Sequence, residues 1–326
     1  MTPPDKREKR ARVLVLTPVY NEESMLPLYE KAVSEVLFSQ ADYDFEVLFI
    51  DDGSRDQSWA LIRQMSTKDP RFRGIRLSRN YGSHVALSAG FALADADGVA
   101  TLACDLQDPP EAILRFLEEW RTGAQIVWGE RRTRQDAWWR VLTSNVFRML
   151  LKRFAMPHGS KFTTGSFFLA DRRVVECIRQ FEEHRRIIFA LVAWTGFEQA
   201  VVFYDRRERV AGKSGWTFRN MFRTMYDAFL GFSHLPIRLM ALVSIVAFLV
   251  TFVLSVYLLY CWMIRTPVPG WTSTMLGMAF FFGVQFLLMG VMGEYLHRIY
   301  LEVVKRPLYF ISDRTSPSPG GDAGGG

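Results

Sequence analysis

Two long stretches without charged side chains lie in the last third of this chain. Residues 239–264 and 266–293 contain no Asp, Glu, Lys or Arg and are rich in Leu, Val, Phe and Met. A membrane-spanning helix needs about 20 apolar residues, whereas helices of a soluble core are usually shorter and keep a polar face. We therefore expect two transmembrane helices, at about 238–264 and 272–296, rather than two buried core helices.

The joint between these stretches, RTPVPGW, is short enough to make them a helical hairpin with both flanks on one side of the membrane. Arg and Lys are frequent before the first stretch and recur after the second at Arg298, Lys305 and Arg306, whereas the joint holds Arg265 alone. The positive-inside bias then places the large N-terminal part in the cytoplasm. We expect a multi-pass protein of the inner (plasma) membrane.

The net charge of +6 would also suit nucleic acid as a partner, but the grouping of basic residues beside aromatic ones favours a membrane surface. Basic residues alternate with Trp, Phe and Met over 216–235, a composition typical of an amphipathic helix in the lipid interface. Residues 1–11 read as a basic flexible arm without a secretory signal, and the Pro/Gly/Ser-rich end of the tail 299–326 is expected to be disordered. The three isolated cysteines fit a reducing compartment and no zinc cluster.

Strand-like and helix-like segments alternate through residues 12–215, which predicts an α/β domain with a parallel sheet and helices on both faces. Three of the predicted strands end in polar, acidic stretches: TPVYNEE, DDGSRD and CDLQD. In such sheets ligands bind beyond the carboxyl ends of the strands. We therefore expect the three stretches to converge on one edge, where repulsion among the acids favours a bound cation or a hydrogen-bond donor.

The stretch ACDLQDPPE, Ala103 to Glu111, indicates what that cation would be. Asp105 and Gln107 are two residues apart, so in an extended strand both side chains point the same way. Magnesium is typically held by one or two carboxylates together with substrate phosphates. The prolines that follow end the strand, and Pro110 can open the next helix. Asp108 faces the other side and is interpreted as a helix cap.

Together with LSRNYGSHVALSAGF and RVAGKSGW before the hairpin, these motifs resemble the polyprenyl-phosphate glycosyltransferases, over residues 12–310. These are family-2 inverting enzymes similar to dolichol-phosphate mannosyltransferase and the bactoprenol glucosyltransferases. The resemblance implies a Rossmann-like (GT-A type) domain that binds a UDP- or GDP-linked sugar. It also implies sugar transfer to a membrane polyprenyl phosphate with Mg²⁺ or Mn²⁺, giving a lipid-linked monosaccharide for cell-envelope glycans. Relatives associate through their membrane parts, so a homo-oligomer, with a tetramer as one form, is expected.

The resemblance carries roles over to individual positions, with Asp105, Arg131 and Lys213 as the catalytic residues. The full set is Pro18, Tyr20 and Glu22 at the nucleotide, Asp51 and Asp52 at the base and ribose, Asp105 and Gln107 at the metal and diphosphate, Arg131 near the phosphates, and Arg209, Lys213 and Ser214 at the donor or acceptor phosphate.

Two positions depart from the family pattern. Ala103 stands where many relatives have the first aspartate of Asp-Ala-Asp, which leaves fewer protein ligands for the metal. Ser166 stands where relatives often have an aspartate considered as a base. A phosphate monoester acceptor has a second pKa near 6, so it is already an anion and needs positioning more than deprotonation. We therefore expect one direct displacement at the anomeric carbon, with inversion.

Alternative functions remain open at this point. Because of Ala103 and Ser166, the chain could be a membrane-anchored scaffold that binds a nucleotide-sugar without turnover. A processive polysaccharide synthase would use a similar domain but normally has more spans, and the chain lacks a Gln-x-x-Arg-Trp motif. A dinucleotide oxidoreductase is disfavoured, since no G-x-G-x-x-G follows the first strand. His84 could approach the donor or play a structural role.

Overall fold

The computed structural model describes residues 10–132, 166–184, 186–207, 235–264 and 270–315. The chain divides into two compact units. The first is the N-terminal part together with the residues from Pro307 onward, and the second is Asp227–Arg306. The predicted interfacial helix over 216–235 lies outside the described residues except for its last position, as do most of the basic arm and the end of the tail.

Strands and helices alternate through the first unit, as the sequence predicts. In chain order the elements are β1 Ala11–Val19, α1 Leu26–Val36, β2 Tyr43–Asp51, α2 Ser58–Lys68, β3 Phe72–Leu77, α3 Ser83–Leu93, β4 Gly98–Thr101, α4 Glu111–Arg121, β5 Ile126–Arg131, β6 Phe168–Asp171, α5 Arg172–Gln180, α6 Ile188–Trp194, β7 Gln199–Tyr204, α7 Leu235–Met263, α8 Trp271–Val304 and β8 Ile311–Arg314.

The eight strands form one sheet in the order β7-β5-β6-β4-β1-β2-β3-β8. Its centre, β4-β1-β2-β3, is parallel, and β5 pairs parallel with β7. The predicted α/β sheet is confirmed, but it is mixed, because β6 runs antiparallel to β4 and β5 and β8 runs antiparallel to β3. Sheets of this size commonly carry antiparallel strands beside a parallel centre.

Continuous apolar runs form the central strands because both faces of the sheet are covered. The run VLVL of β1 is buried along its whole length, and so is VLFI of β2. On one face, Tyr29 of α1 packs edge-on against Phe49 of β2, and Phe49 stacks on Phe72 of β3. On the other face α3 approaches closely, since a Cβ at Gly90 would lie 3.0 Å from Ile50.

The second unit contains two helices that are long and apolar enough to cross a membrane. Helix α7 spans the first predicted stretch, and α8 runs on to Val304, beyond the predicted end near residue 296. The side chains described along both helices are mostly exposed in the chain by itself. A soluble core helix would bury such side chains, so these two helices have the composition and exposure of membrane-associated segments.

Candidate functional site

The carboxyl ends of β4, β1, β2 and β3 lie side by side, so the loops that follow them share one edge of the sheet. The expected convergence is visible at Cys104, a buried residue of the loop after β4. Burial raises the pKa of the Cys104 thiol, and the negative charges of Glu22 and Asp105 raise it further. The acids after β1 and β4 are therefore close enough to act on the same group.

Backbone and side-chain hydrogen bonds join the loops after β1 and β2. The Asn21 amide donates to Ser54 Oγ at 3.0 Å, and the Arg55 amide donates to Asn21 Oδ1 at 2.8 Å. The Glu22 amide donates to Ser58 Oγ at 2.9 Å. Asn21 adopts a left-handed conformation with φ of 54°, which Asn tolerates better than most residues. These bonds hold the two loops as one rigid border of the edge.

Asp51 is fully buried at the end of β2. Its Oδ1 accepts a hydrogen bond from the Ser54 amide at 3.1 Å, and its Oδ2 lies 3.1 Å from Nε of Arg76. Burial raises the pKa of Asp51, while the Ser54 hydrogen bonds and the Arg76 charge oppose that rise. Arg76 also donates to the Ser54 carbonyl at 2.8 Å. Asp51 thus stabilises the loop and fixes the Arg76 guanidinium.

Asp52, the next residue, is 3% exposed and engages the loop after β3. Its two oxygens accept hydrogen bonds from the amides of Tyr81 at 2.7 Å and Gly82 at 2.8 Å. Burial raises the pKa of Asp52, and these two amides lower it. The structure therefore turns both aspartates toward protein groups, and their predicted contact with the base and ribose stays a prediction.

A cavity of about 400 Å³ opens over the ends of β2, β3 and β8. It offers an exposed aromatic ring at Tyr20, several guanidinium groups and several hydroxyls. Its lining residues are Tyr20, Gly53, Ser54, Arg55, Arg76, Leu77, Ser78, Arg79, Asn80 and Ser312. A cavity of this size can hold a small organic ligand, and this largely polar lining fits one that is planar, hydrogen-bonding and anionic.

The stretch that contains Asp105 differs from the prediction. Strand β4 ends at Thr101, and Leu106 has φ of 51°, so Asp105 and Gln107 lie on a tight turn rather than in an extended strand. The prediction that strand alternation aligns their side chains is therefore wrong. The turn still keeps the two residues together, because the Gln107 amide donates to Asp105 Oδ1 at 3.3 Å.

Asp108 does not cap the helix as interpreted from the sequence. The residue at the N-cap position of α4 is Pro110, and no side chain caps that helix. Asp108 is buried, accepts a hydrogen bond from the Tyr204 hydroxyl and lies 3.7 Å from Nη2 of Arg131. Burial and the neighbouring Asp108 charge raise the pKa of Tyr204, which keeps its hydroxyl a donor.

Arg206, just after β7, joins this corner, although the sequence showed it only as part of a basic flank. Its guanidinium donates to the side-chain oxygen of Gln107. Partial burial lowers the pKa of Arg206, as does the positive charge of Arg131, while Asp108 and Asp105 raise it. Two arginines are thus held near each other, which favours binding of an anion. The signal that could have found Arg206 is the strand-like run QAVVFY, which ends two residues before it.

The predicted metal ligands form a sparse set. Among the described ranges, no group of three or more His, Cys, Asp or Glu side chains could hold a metal ion. Asp105 supplies one carboxylate, and the Gln107 side-chain oxygen already accepts from Arg206. One carboxylate is at the lower limit of what magnesium uses when substrate phosphates complete its coordination. Asp105 therefore fits a divalent ion that arrives with a diphosphate.

The remaining predicted residues divide between described and undescribed parts of the chain. Arg209, Lys213 and Ser214 lie outside the described residues. Ser166 accepts a hydrogen bond from the Thr101 hydroxyl through its backbone carbonyl, next to the sheet. The ring of His84 packs against that of Phe189, with 5.3 Å between the ring centroids. Burial lowers the pKa of His84 to about 4. A neutral histidine in such contact supports the structural role for His84.

The chain matches the model of glycosyl transferase family 2 over residues 14–179. It is 35% identical over 304 residues to an uncharacterized glycosyltransferase of Synechocystis sp., covering 92% of this chain and 94% of that protein. It is 34% identical over 312 residues to the bactoprenol glucosyl transferase of Shigella phage SfX, covering 93% of this chain and 99% of that protein. Matches of this length include the apolar helices as well as the sheet.

Among solved structures, mannosyl-3-phosphoglycerate synthase from Rubrobacter xylanophilus is similar, with a TM-score of 0.47 and 16% identity. The match covers 67% of this chain and 71% of that chain.

Proposed function

The chain belongs to glycosyltransferase family 2, and on that premise we propose that it transfers a sugar from a nucleotide-diphosphate sugar to a membrane polyprenyl phosphate. The observation that carries the proposal is that one edge of the sheet holds both a hydrogen-bonding cavity and a corner with two arginines, Arg131 and Arg206. The same chain has two apolar helices long enough to cross a membrane. The product is a lipid-linked monosaccharide for cell-envelope glycans. A relative named bactoprenol glucosyl transferase supports this choice of acceptor.

The cavity is suited to the nucleoside of the donor. Tyr20 is 43% exposed at its border and can stack on a base. Arg76 is immobilised by Asp51 and by the Ser54 carbonyl, so it can contact a ligand without losing further side-chain freedom. A UDP- or GDP-linked sugar would present a flat base and a ribose with two hydroxyls to this lining.

The corner formed by Asp105, Gln107, Arg131 and Arg206 is suited to the diphosphate. Guanidinium groups bind phosphate oxygens through charge-assisted hydrogen bonds, and Asp108 with the Tyr204 hydroxyl holds Arg131 in place. Asp105 would hold a divalent ion, Mg²⁺ or Mn²⁺, which would neutralise the charge that develops on the leaving diphosphate. The two arginines bind and orient the same phosphates from the protein side.

The acceptor phosphate requires positioning rather than a protein base. It is largely dianionic at neutral pH because its second pKa is near 6, and Ser166 offers no carboxylate. We assign its binding to Arg209, Lys213 and Ser214 in the segment that precedes α7. The reaction is one displacement at the anomeric carbon: the acceptor oxygen forms the new bond, the nucleoside diphosphate leaves, and the configuration inverts.

The two apolar helices would bring the enzyme to its lipid acceptor. They form a hairpin that crosses the inner membrane twice, with residues 216–235 in the lipid interface and the catalytic domain in the cytoplasm. A Cβ added at any of four glycines of α8 would have no neighbouring atom within 4 Å; these are Gly277, Gly283, Gly290 and Gly293. Small residues allow close helix packing in membranes, which supports a homo-oligomer.

The test is transfer itself. Membranes containing the full chain are incubated with radiolabelled nucleotide-sugars, polyprenyl phosphate and Mg²⁺, and lipid-linked sugar is extracted. We expect product from the unaltered protein and at least about 100-fold less from Asp105→Ala, since removing one transition-state charge partner commonly costs about that much. Asp44→Ala, at the exposed opposite end of β2, is the matched control and should retain activity.

The outcomes separate the candidates. Donor binding without product from any plausible nucleotide-sugar would identify the scaffold instead of the enzyme. Long polysaccharide in place of a single lipid-linked sugar would identify a processive synthase. Full activity of Asp105→Ala would refute the assignment of Asp105 to the metal.

A further inference from the structure

The C-terminal strand β8 lies outside the 14–179 region that matches the family model, yet it completes the sheet. It pairs antiparallel with β3, and Trp59 of α2 donates through Nε1 to Asp313 at 3.0 Å. Gly74 and Thr315 exchange two hydrogen bonds, from the Gly74 amide to Thr315 Oγ1 at 2.8 Å and from the Thr315 amide to the Gly74 carbonyl at 3.0 Å. The strand is therefore firmly docked.

Position 74 of β3 lies in a tight space between α2 and the end of β8. A Cβ on Gly74 would lie 2.5 Å from Cγ2 of Ile62 and 3.2 Å from side-chain atoms of Thr315 and Trp59. Real Cβ contacts are almost never as short as 2.5 Å. The packing of α2 therefore requires glycine at position 74, and the same glycine leaves room for Thr315 beside β8.

Ser312 of β8 is part of the cavity lining. Its hydroxyl donates to the Arg76 carbonyl at 3.2 Å. This bond uses the proton of the hydroxyl and leaves its oxygen lone pairs to accept a hydrogen bond from a ligand. The partner is held in place, because it is a backbone carbonyl of β3, which pairs with β2 on one side and with β8 on the other. Ser312 therefore presents a fixed acceptor to the cavity.

The order of the strands indicates which part of a ligand would meet this acceptor. Asp105 follows β4, whereas the cavity lies over β2, β3 and β8. Neighbouring strands lie about 4.8 Å apart, so three strand spacings separate β4 from β3 by about 14 Å. A nucleoside diphosphate bound at the Asp105 corner by its phosphates would extend its nucleoside along the edge toward β3 and β8.

We propose that β8 forms one wall of the nucleoside site and that Ser312 accepts a hydrogen bond from an N–H or O–H of the base or ribose. This inference rests on the proposed nucleotide-sugar donor. It makes Ser312 a specificity-determining residue supplied by the end of the chain.

The test is titration calorimetry on the full-length protein in detergent with UDP, GDP, CDP, dTDP and ADP. Ser312→Ala should bind the preferred nucleotide about 3- to 10-fold more weakly, which is the loss of one hydrogen bond. The same substitution should weaken binding of the matching nucleoside monophosphate by the same factor, because the lost hydrogen bond is to the nucleoside and not to the phosphates. Ser312→Thr keeps the hydroxyl and should bind nearly as well as the unaltered protein. Ser39→Ala, whose hydroxyl also donates to a backbone carbonyl at 3.2 Å but at the far end of α1, should bind normally.

Ser312→Trp, which fills the cavity, should abolish binding. The thermal unfolding midpoint of each variant shows whether β8 stays docked, and Ser312→Ala should leave it unchanged. Unaltered affinity of Ser312→Ala and Ser312→Trp, while the parent protein binds, would overturn the role of Ser312 and leave the donor site intact. Failure of the parent protein to bind any of the five nucleotides would instead refute the proposed donor site itself.

Discussion

Gly53, directly after the two buried aspartates, offers a sharp test of how the candidate site is built. Its φ is +70°, in the left-handed region, and a Cβ there would lie 2.5 Å from the carbonyl carbon of Arg79 and 2.8 Å from the Asn80 nitrogen. These are backbone atoms, so no side-chain rotation can relieve the overlap. Gly53→Ala must therefore displace the segment that carries two residues of the cavity lining.

The structure provides a control that separates backbone strain from steric overlap. Gly196 has nearly the same conformation, with φ of +75°, but a Cβ there would meet nothing within 4 Å. A left-handed conformation costs a residue with a Cβ about 1–2 kcal/mol, so Gly196→Ala should lose about that much. Gly53→Ala bears the same strain plus an overlap of about 1–3 kcal/mol, giving a total of about 2–5 kcal/mol.

The assay is thermal unfolding of the two full-length variants in detergent, followed by nucleotide binding. For a unit of this size about 1 kcal/mol shifts the midpoint by about 2–4 °C, so Gly53→Ala should unfold about 2–12 °C below Gly196→Ala. It should also bind nucleotide more weakly, because Arg79 and Asn80 move. Equal midpoints for the two variants would refute the claim that close approach of the loops, rather than conformation alone, requires glycine at position 53.

Two further predictions concern buried polar groups. Burial lowers the pKa of His84 to about 4, so the folded protein holds this imidazole neutral, whereas the unfolded chain protonates it near pH 6.5. Neutral His84 therefore makes its full contribution to the free energy of unfolding above about pH 6.5. Up to about 3 kcal/mol of that free energy is lost as the pH falls toward 4. His84→Phe, which can keep the contact with Phe189, should therefore show a smaller fall in unfolding midpoint between pH 7 and 4.5, and an unchanged pH dependence would contradict this. Tyr204→Phe removes the hydroxyl that bonds buried Asp108 and should destabilise the protein by about 1–3 kcal/mol. Tyr43→Phe is its control, since the Tyr43 hydroxyl is buried with no hydrogen-bond partner among the described residues; equal thermal shifts would contradict the role of the Tyr204 bond.

The central sheet and the shared edge could be predicted because their signals are local. Buried parallel strands need unbroken apolar runs such as VLVL in β1, and their connecting helices need amphipathic spacing. The polar stretches after β1, β2 and β4 mark the edge in the same way, so their convergence follows from parallel pairing. Pro110 likewise marked the start of α4 by its own backbone restriction.

Strand β8 and the orientation of the acids could not be predicted, because they depend on tertiary partners. The strand is the short polar stretch ISDR, which becomes a strand only through pairing with β3. Asp51 and Asp52 have the same side chain, but one meets an arginine and the other two backbone amides of a distant loop. The sequence predicts that the strand continues to Asp105, because nothing local shows that β4 stops at Thr101.

The docking of β8 has a consequence for the order in which the protein can fold during synthesis. Its contacts join residues 241 and 254 positions apart, as in the Gly74–Thr315 and Trp59–Asp313 hydrogen bonds. Both apolar helices leave the ribosome before this strand does. Until then β3 is an open sheet edge, which is prone to pairing with other chains. The sheet therefore gains its β8 edge only after both apolar helices have been made, and a nascent chain that stalls before residue 311 carries an unprotected edge.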